Sequence, residues 1–505
     1  MRAVSRFGAM VASSLCLACA STPTRTEDPV ALPASYDQAS PAPPTNTPSA
    51  ALLDWRQLFA DPKLVSLLTE ALRHNPDREI ALTRIAMARA GVHRQTGALL
   101  PTVSAGAGAS LRKFGLFTMD GAGNATTDII PGELIPVHLP DLLIGVQSSW
   151  ELDVWGRLWN QRQSSLARVL ATREVEHFVE SNLIADVAAA WFTLLALDQR
   201  KAVLEANRER QTAAVEFVKA QMDAGRANEL AVLQFDAEVR ETHAALVEVD
   251  REIRLQEGAL NLLVGRVPQA IERDVAAAAT TSTPSLLPGV PADLLRLRPD
   301  VRAAELELMA AGFDVQSAAA AFLPAVDLSA TGGVQAFNPL FLLNVDSLAY
   351  NLVGGLLAPI VNRSGLEADH AGATAIQEEA LVSYRKAILQ ALVETNNALT
   401  TVKASDDLAA LQTTQRALRR RAVETSEILF GAGKAGWVEV LITQTATAEA
   451  DLAVIDAWRE QQLARVGLYR ALGGGWTTEL PPPTTVEQSP MEVLLSQNNP
   501  PGGAS

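Results

Sequence analysis

Residues 144–157 read Ile144-Gly145-Val146-Gln147-Ser148-Ser149-Trp150-Glu151-Leu152-Asp153-Val154-Trp155-Gly156-Arg157, and the period of the sequence changes inside them. Up to Val154 the side chains alternate. Ile144, Val146, Ser148, Trp150, Leu152 and Val154 take one face, and Gly145, Gln147, Ser149, Glu151 and Asp153 the other, which is the pattern of a strand. From Trp155 apolar residues recur at three and four, as in Leu166, Val169 and Leu170, then Leu183, Val187, Trp191, Leu194 and Leu195, which is the pattern of a helix. That helix runs to about Asp223 and spans about 100 Å at 1.5 Å per residue. It breaks at Ala224-Gly225-Arg226-Ala227-Asn228, and a second helical run follows from about Glu229 to Val264. A strand of about ten residues is long enough to cross a hydrocarbon layer when tilted.

Proline use supports the long helices. None of the 27 prolines falls between Pro140 and Pro268 or between Pro359 and Pro481. Hydrophobic residues make up 48% of the chain but aromatics only 5%, so alanine-rich helical rods fit better than a bulky globular core.

The chain is also duplicated. At an offset of 223, Leu72 matches Leu295, Pro76-Asp77 matches Pro299-Asp300, and Leu100-Pro101 matches Leu323-Pro324. At an offset of 208, Leu158 matches Leu366, Gly225 matches Gly433, Val232-Leu233 matches Val440-Leu441, Leu260 matches Leu468, and Gly265 matches Gly473. The register slips once, by 15 residues, between Pro101 and Leu158, and a variable loop is expected there.

Each unit therefore holds two strands and a helical hairpin. Val103, Ala105, Ala107, Ala109 and Leu111 alternate with Ser104, Gly106, Gly108, Ser110 and Arg112; Val326, Leu328, Ala330, Gly332 and Val334 alternate with Asp327, Ser329, Thr331, Gly333 and Gln335. A closing strand over about Leu348 to Ile360 puts Leu348, Tyr350, Leu352, Leu356 and Ile360 on one face. The second long helix runs from about Leu366 to Ala432 and breaks around Gly431 to Gly436, so each hairpin has its tip at a glycine. Shorter helices, from about Pro62 to Gly97 and Ala292 to Ala321, precede the strands. Periodicity alone leaves a soluble sandwich open. Four strands cannot close a membrane barrel, however, and an open edge is not tolerated in lipid, so a barrel must be shared between protomers.

The predicted organisation is a signal peptide at 1–18, an extended N-terminal tether at 19–51, repeat 1 at 52–267, a linker at 268–284, repeat 2 at 285–476 and a disordered tail at 477–505. Residues 1–18 carry Arg2 and Arg6, an apolar stretch and small residues at the end, too short to span a membrane. Both cysteines, Cys16 and Cys19, lie at this end, so the mature chain has no intramolecular disulfide. A net charge of −15 argues against a nucleic-acid partner, and the basic run Arg419 to Arg421 reads as a solvated helix face. His74, His93, His138, His177, His243 and His370 form no i, i+4 pair, so no metal site, cofactor site or enzymatic centre is legible.

The run Cys16-Leu17-Ala18-Cys19 resembles a bacterial lipobox, which implies acylation of Cys19; Ala20 after it looks like an outer-membrane address. Trp150 to Arg157, Leu99-Leu100-Pro101, Phe322-Leu323-Pro324, the two glycine tips and the closing Leu468 to Trp476 resemble the outer-membrane efflux factor family typified by TolC and OprM, in its lipoprotein branch. The resemblance covers about residues 52 to 476. It implies a mainly α protein with membrane β structure: a homotrimer whose α-helical hairpins form a periplasmic tunnel below a shared outer-membrane β-barrel. It implies an adaptor protein and an inner-membrane pump, usually of the resistance-nodulation-division class, as partners, with small toxic molecules passing out passively. On that reading Gln147, Ser149, Glu151, Asp153, Asp327, Ser329, Thr331 and Gln335 face a watery lumen, and the alternate positions face lipid. The periplasmic tip, where a gate belongs, carries Gly225, Arg226, Gly433, Lys434 and Trp437. Relatives often have an aspartate just after the second glycine, and Ala435 stands there instead. A duct for a secreted protein or peptide, and a non-transporting envelope spacer, are the competing readings.

Overall fold

The computed structural model describes residues 52–59, 61–274, 291–361 and 363–476, with residue 33. The signal peptide, Cys19, the tether apart from residue 33, the linker from residue 275 and the tail lie outside the described residues. Helices α1 (Trp55–Leu58), α2 (Pro62–His74) and α3 (Pro76–Ala98) lead into strand β1 (Thr102–Arg112). A long loop holding helix α4 (Met119–Asn124) and the small pair β2 (Asp128–Ile130) and β3 (Glu133–Leu134) returns through β4 (Leu139–Leu152). The first hairpin is α5 (Arg157–Asp223) and α6 (Glu229–Val264). The second half repeats the order: α7 (Leu294–Leu297), α8 (Pro299–Ala320), β5 (Ala325–Ala336), β6 (Leu348–Leu357), α9 (Ser364–Gly431) and α10 (Trp437–Ala471).

The four long strands form one antiparallel sheet in the order β1-β4-β5-β6. The two halves therefore join at β4–β5, and β1 and β6 are left as open edges. The loop between β1 and β4 is 26 residues (113–138) against 11 (337–347) between β5 and β6, a difference equal to the 15-residue slip in the repeat. Helices α5 and α9, of 67 and 68 residues, leave the same end of the sheet, so both loops lie at the far end.

The stretches before the strands are each divided by a proline. Pro76 and Pro299 lack an N–H and push the residue before them out of the helical region; Asn75 and Arg298 sit at ψ 126° and ψ 117°. Asn75 turns the break into a joint. Its side-chain oxygen accepts from the Arg78 N–H at 3.0 Å, and its amide donates to the Leu263 carbonyl at 2.8 Å.

The main core is a collar partway down the rods. Trp55, Leu58, Phe59, Leu64 and Leu68 pack against Leu183, Val187, Trp191, Leu194 and Leu195 of α5 and against Val249 and Leu260 of α6. Trp191 is buried yet satisfied, its Nε1 donating to Asp61 at 3.1 Å, as a buried indole requires. The collar also carries charge. Arg298 reaches Asp300 and Glu394, both at 2.7 Å, and donates to the Ala471 carbonyl at 3.0 Å. Nearby, Arg78 holds Glu180 at 2.6 Å and Glu176 at 3.3 Å, Arg302 holds Glu174 at 2.8 Å, and the His177 ring stacks on Trp476 at 4.4 Å. These pairs tie both halves and the closing Gly473-Gly474-Gly475-Trp476 to one level of α5.

Candidate functional site

The sheet has one polar and one apolar face, set by its register. Gln147 pairs with Ser104 and Thr331, and Thr331 with Asn351; partners across a ladder point the same way. The same face carries Ser149, Ser329, Glu151, Asp327 and Gln335. Val146, Ala105, Gly332 and Tyr350 share the opposite face, together with Ile144, Leu328, Leu352 and Leu356.

The sheet bends toward its polar side. Gly145 and Gly333 are opposite each other on that side. A Cβ on Gly145 would lie 2.6 Å from the Gly332 carbonyl oxygen, and one on Gly333 would strike the Ile144 carbonyl. The backbones occupy the space their side chains would need, so the ladder folds inward along this line. The result is a hollow of about 580 Å³ whose polar lining includes Ser104, Gln147, Thr331 and Asn351. The polar face is thus the concave one and the apolar face the convex one.

Charge in the hollow is placed at its ends. At the loop end Arg112 approaches Asp141 at 3.6 Å, and Gln335 donates to Asp141 at 2.8 Å. At the helix end Arg157 holds both oxygens of Glu151, at 2.7 and 2.8 Å. The middle is neutral. Asp153, expected on the lumen face, is instead past the last strand residue, Leu152. Its carboxylate accepts the N–H groups of Leu158 at 3.0 Å and Trp159 at 2.7 Å, taking up orphan donors of the first turn of α5. Ile360, expected on the closing strand, likewise falls beyond β6, which stops at Leu357. Reading the alternation from Ile144 missed Arg112 with Asp141; continuing it back to Leu139 puts Asp141 in phase with Gln147.

The hairpin tips are a matched pair. Gly225 and Gly433 both sit at φ +71°. Arg226 N–H bonds the Gln221 carbonyl at 2.8 Å, and Lys434 N–H bonds the Leu429 carbonyl at 2.8 Å, so each long helix ends in a Schellman motif. Arg226 and Lys434 are therefore fixed by backbone at the two turns. The tips differ in the next helix: Asn228 caps α6 through the Ala231 N–H at 3.1 Å, whereas Gly436 offers α10 no side-chain cap. Trp437, the first residue of α10, is half-buried and lies 6.4 Å from the Phe235 ring, while Phe217 meets Phe430 edge-on at 6.1 Å. These rings line a groove of about 430 Å³ between the two hairpins. Packing between helices thus engages Trp437 in this state. Arg420 of the basic run is not free on its helix face either, pairing with the buried Asp451 at 2.7 Å.

Among the described residues no group of His, Cys, Asp and Glu could hold a metal ion. The chain matches the model of the outer membrane efflux protein family over residues 67–266 and 290–474. It is 31% identical to the pyoverdine export outer membrane protein OpmQ of Pseudomonas putida, over 93% of this chain and 97% of that protein. It is 29% identical to the toluene efflux pump outer membrane protein TtgI of Pseudomonas putida, over 85% and 89%. The solved outer-membrane channel OprN superposes with a TM-score of 0.78 at 27% identity, over 89% of this chain and 98% of that one. Two matched blocks, one for each repeat, and a near full-length superposition on an outer-membrane channel leave a single assignment: the chain belongs to the outer membrane efflux protein family.

Proposed function

We propose that three copies of this chain build one conduit through the outer membrane, passing small organic molecules outward from an inner-membrane pump and a periplasmic adaptor. The observation that carries the reading is the sheet. It has a concave polar face, an apolar outer face and two unpaired edge strands, β1 and β6, and hydrocarbon admits such a sheet only when further copies pair those edges. Rods of about 100 Å below it supply reach into the periplasm. The pump is of the resistance-nodulation-division class, Cys19 carries the acyl anchor, and Gly225, Arg226, Gly433, Lys434 and Trp437 border the periplasmic aperture.

Cargo passes a neutral middle bore of Ser104, Gln147, Thr331 and Asn351, which favours neither charge sign. The names of the relatives, one for pyoverdine and one for toluene, support small organic cargo over polypeptide. The test is deletion and complementation of the gene, reading tolerance to organic toxicants, small organic molecules released to the medium and secreted protein, beside planar-bilayer conductance of the purified protein. Loss of toxicant tolerance or of small-molecule release, with discrete conductance, is expected. Loss of a secreted polypeptide alone, or no conductance from assembled trimers with the adaptor present, overturns the reading.

A further inference from the structure

The two loops at the far end of the sheet display large apolar side chains to solvent. In the β1–β4 loop these are Leu116, Phe117 and Met119, with Phe117 fully exposed; in the β5–β6 loop they are Leu340, Leu343 and Val345, each at least 86% exposed. Six such residues on a rim facing water call for a covering surface.

Both loops are built to hold this display. In the first, the Gly115 carbonyl accepts from Thr118 N–H at 2.9 Å and from its hydroxyl at 2.8 Å, and Thr118 Oγ1 then caps α4 through the Gly121 N–H at 3.1 Å. A Cβ on Gly121 would strike the Gly115 carbonyl, so the turn is closed against backbone. In the second, Asn338 and Asn344 cap successive tight turns through Leu340 N–H at 3.0 Å and Asp346 N–H at 3.2 Å. Ser347 Oγ donates to the Phe341 carbonyl at 2.7 Å, and Phe341 packs edge-on against Phe337 at 6.1 Å. Phe341 is held by its own loop while Leu340, Leu343 and Val345 are turned outward.

Topology says what covers them. β1 runs away from the helices and ends at Arg112; β6 begins at the same end, at Leu348. These are the open edges of the sheet. Closing a barrel brings β6 of one copy beside β1 of the next, antiparallel, and carries their outer ends to the same joint. Phe117 is five residues beyond Arg112 and Leu343 five before Leu348, a reach of up to about 17 Å from each strand end. Inside one copy the two loops also adjoin, at the β4–β5 joint where Leu142 pairs with Ala336, yet all six side chains stay exposed there, so the neighbouring copy at the β6–β1 joint is what can cover them.

We infer that the β5–β6 loop of one protomer packs against the β1–β4 loop of its neighbour, Leu340, Leu343 and Val345 on Leu116, Phe117 and Met119, as an apolar clasp repeated three times around the outer mouth. The inference rests on the shared-barrel reading above. The clasp extends the β6–β1 joint beyond its hydrogen-bonded strands. It holds the rim of the exit closed between protomers, so the bore is the only route outward.

The test is cysteine crosslinking of the full chain in cells, which is clean because both native cysteines lie in the first 19 residues. Phe117→Cys with Leu343→Cys is compared with Ala107→Cys with Leu352→Cys, a pair on the facing edge strands, and with each single variant, using a short bismaleimide. The loop pair is expected to give covalent dimers and trimers as readily as the strand pair, and the single variants none. Crosslinking of the strand pair without the loop pair overturns the clasp and leaves the barrel standing; failure of both overturns the shared barrel and the clasp with it. As a second readout, Leu340→Ser with Leu343→Ser and Val345→Ser is expected to lower the temperature at which the detergent-solubilised trimer dissociates. An unchanged temperature, which is what side chains resting in lipid or hanging in water would give, counts against the clasp.

Discussion

Arg157, the first residue of a 67-residue helix, grips Glu151, the penultimate residue of strand β4, through both carboxylate oxygens. Four residues thus change the chain from sheet to rod: Glu151 and Arg157 clamp it, Gly156 turns it at φ +74°, and Asp153 caps the helix. The fork matters, because Arg157 Nε donates to Glu151 beside Nη2, at 3.2 Å, and a lysine ammonium has no second planar donor to make that parallel bond. Asp153→Ala is expected to lower stability by about 1 kcal/mol through the lost cap. Gly156→Ala costs about 1–2 kcal/mol, since only glycine takes this backbone freely. Thermal melts of the solubilised protein measure both; a Gly156→Ala variant as stable as the parent contradicts the junction as described.

The repeat aligns Gly225 with Gly433 and Gly265 with Gly473, and all four have positive φ, yet they should not tolerate alanine equally. Nothing lies within 4 Å of a Cβ at Gly225 or Gly433, so alanine there costs only backbone strain, about 1–2 kcal/mol. At Gly265 the new Cβ would strike the His74 carbonyl, and at Gly473 it would lie 2.6 Å from the Leu297 carbonyl. Overpacking adds to strain, for a total of about 3 kcal/mol or more. Yield of assembled protein is the readout: tip variants near parental, collar variants sharply reduced.

That contrast shows where the sequence was readable. Local rules wrote the Schellman glycines and the alternation around Gln147, because each depends on a few neighbouring residues. The breaks at Pro76 and Pro299 obey equally local rules, yet the helices expected over Pro62 to Gly97 and Ala292 to Ala321 run through them. The collar was not legible. Arg78 meets Glu180 and Arg298 meets Glu394 across 102 and 96 residues, and nothing in their own windows marks them apart from solvated charges. Asp153 failed for a different reason: strand alternation and helix capping make the same demand for a polar residue at a junction, and only the strand's end at Leu152 separates them. The sense of curvature was hidden too. Gly145 and Gly333 look like ordinary small residues until the ladder sets them opposite each other.

The collar should respond to pH through Glu176. Burial, and then the neighbouring Glu180 carboxylate, raise its pKa above the ordinary carboxylate value, against the lowering pull of Arg78. A group that holds its proton more tightly when folded favours the folded state at low pH, and this contribution is lost as pH rises through the folded pKa. Glu176→Gln is neutral throughout, and Arg78 retains Glu180 at 2.6 Å. The variant is therefore expected to gain on the parent at neutral pH, and the difference to shrink as pH falls into the carboxylate range. A difference in melting temperature that stays flat between pH 7.5 and pH 4.5 refutes this assignment.

Trp437 bridges the hairpins through Phe235, so Trp437→Ala should loosen the tips before it affects the collar. The aromatic contact contributes about 0.5–1.5 kcal/mol beyond its buried area. Expected outcomes are unchanged trimer assembly, faster proteolysis at the tips and a larger or noisier single-channel conductance. Conductance identical to the parent, with normal assembly, removes Trp437 from the aperture.

The faces of the sheet make the sharpest comparison, because adjacent residues of one strand are predicted to behave oppositely. Val146 shares the convex face with Ala105 and Tyr350, whereas Gln147 shares the hollow with Ser104 and Thr331. Arginine at Val146 or Leu328 puts a charge into hydrocarbon, at a cost of about 2–4 kcal/mol near the midplane. At Gln147 the same side chain meets water. It should leave assembly nearly intact while adding three positive charges to a neutral section of the bore, which shifts ion selectivity toward anions. Outer-membrane yield reports the first effect and reversal potential in a salt gradient the second. Equal losses at Val146→Arg and Gln147→Arg would mean that both faces meet the same medium, which no closed barrel allows.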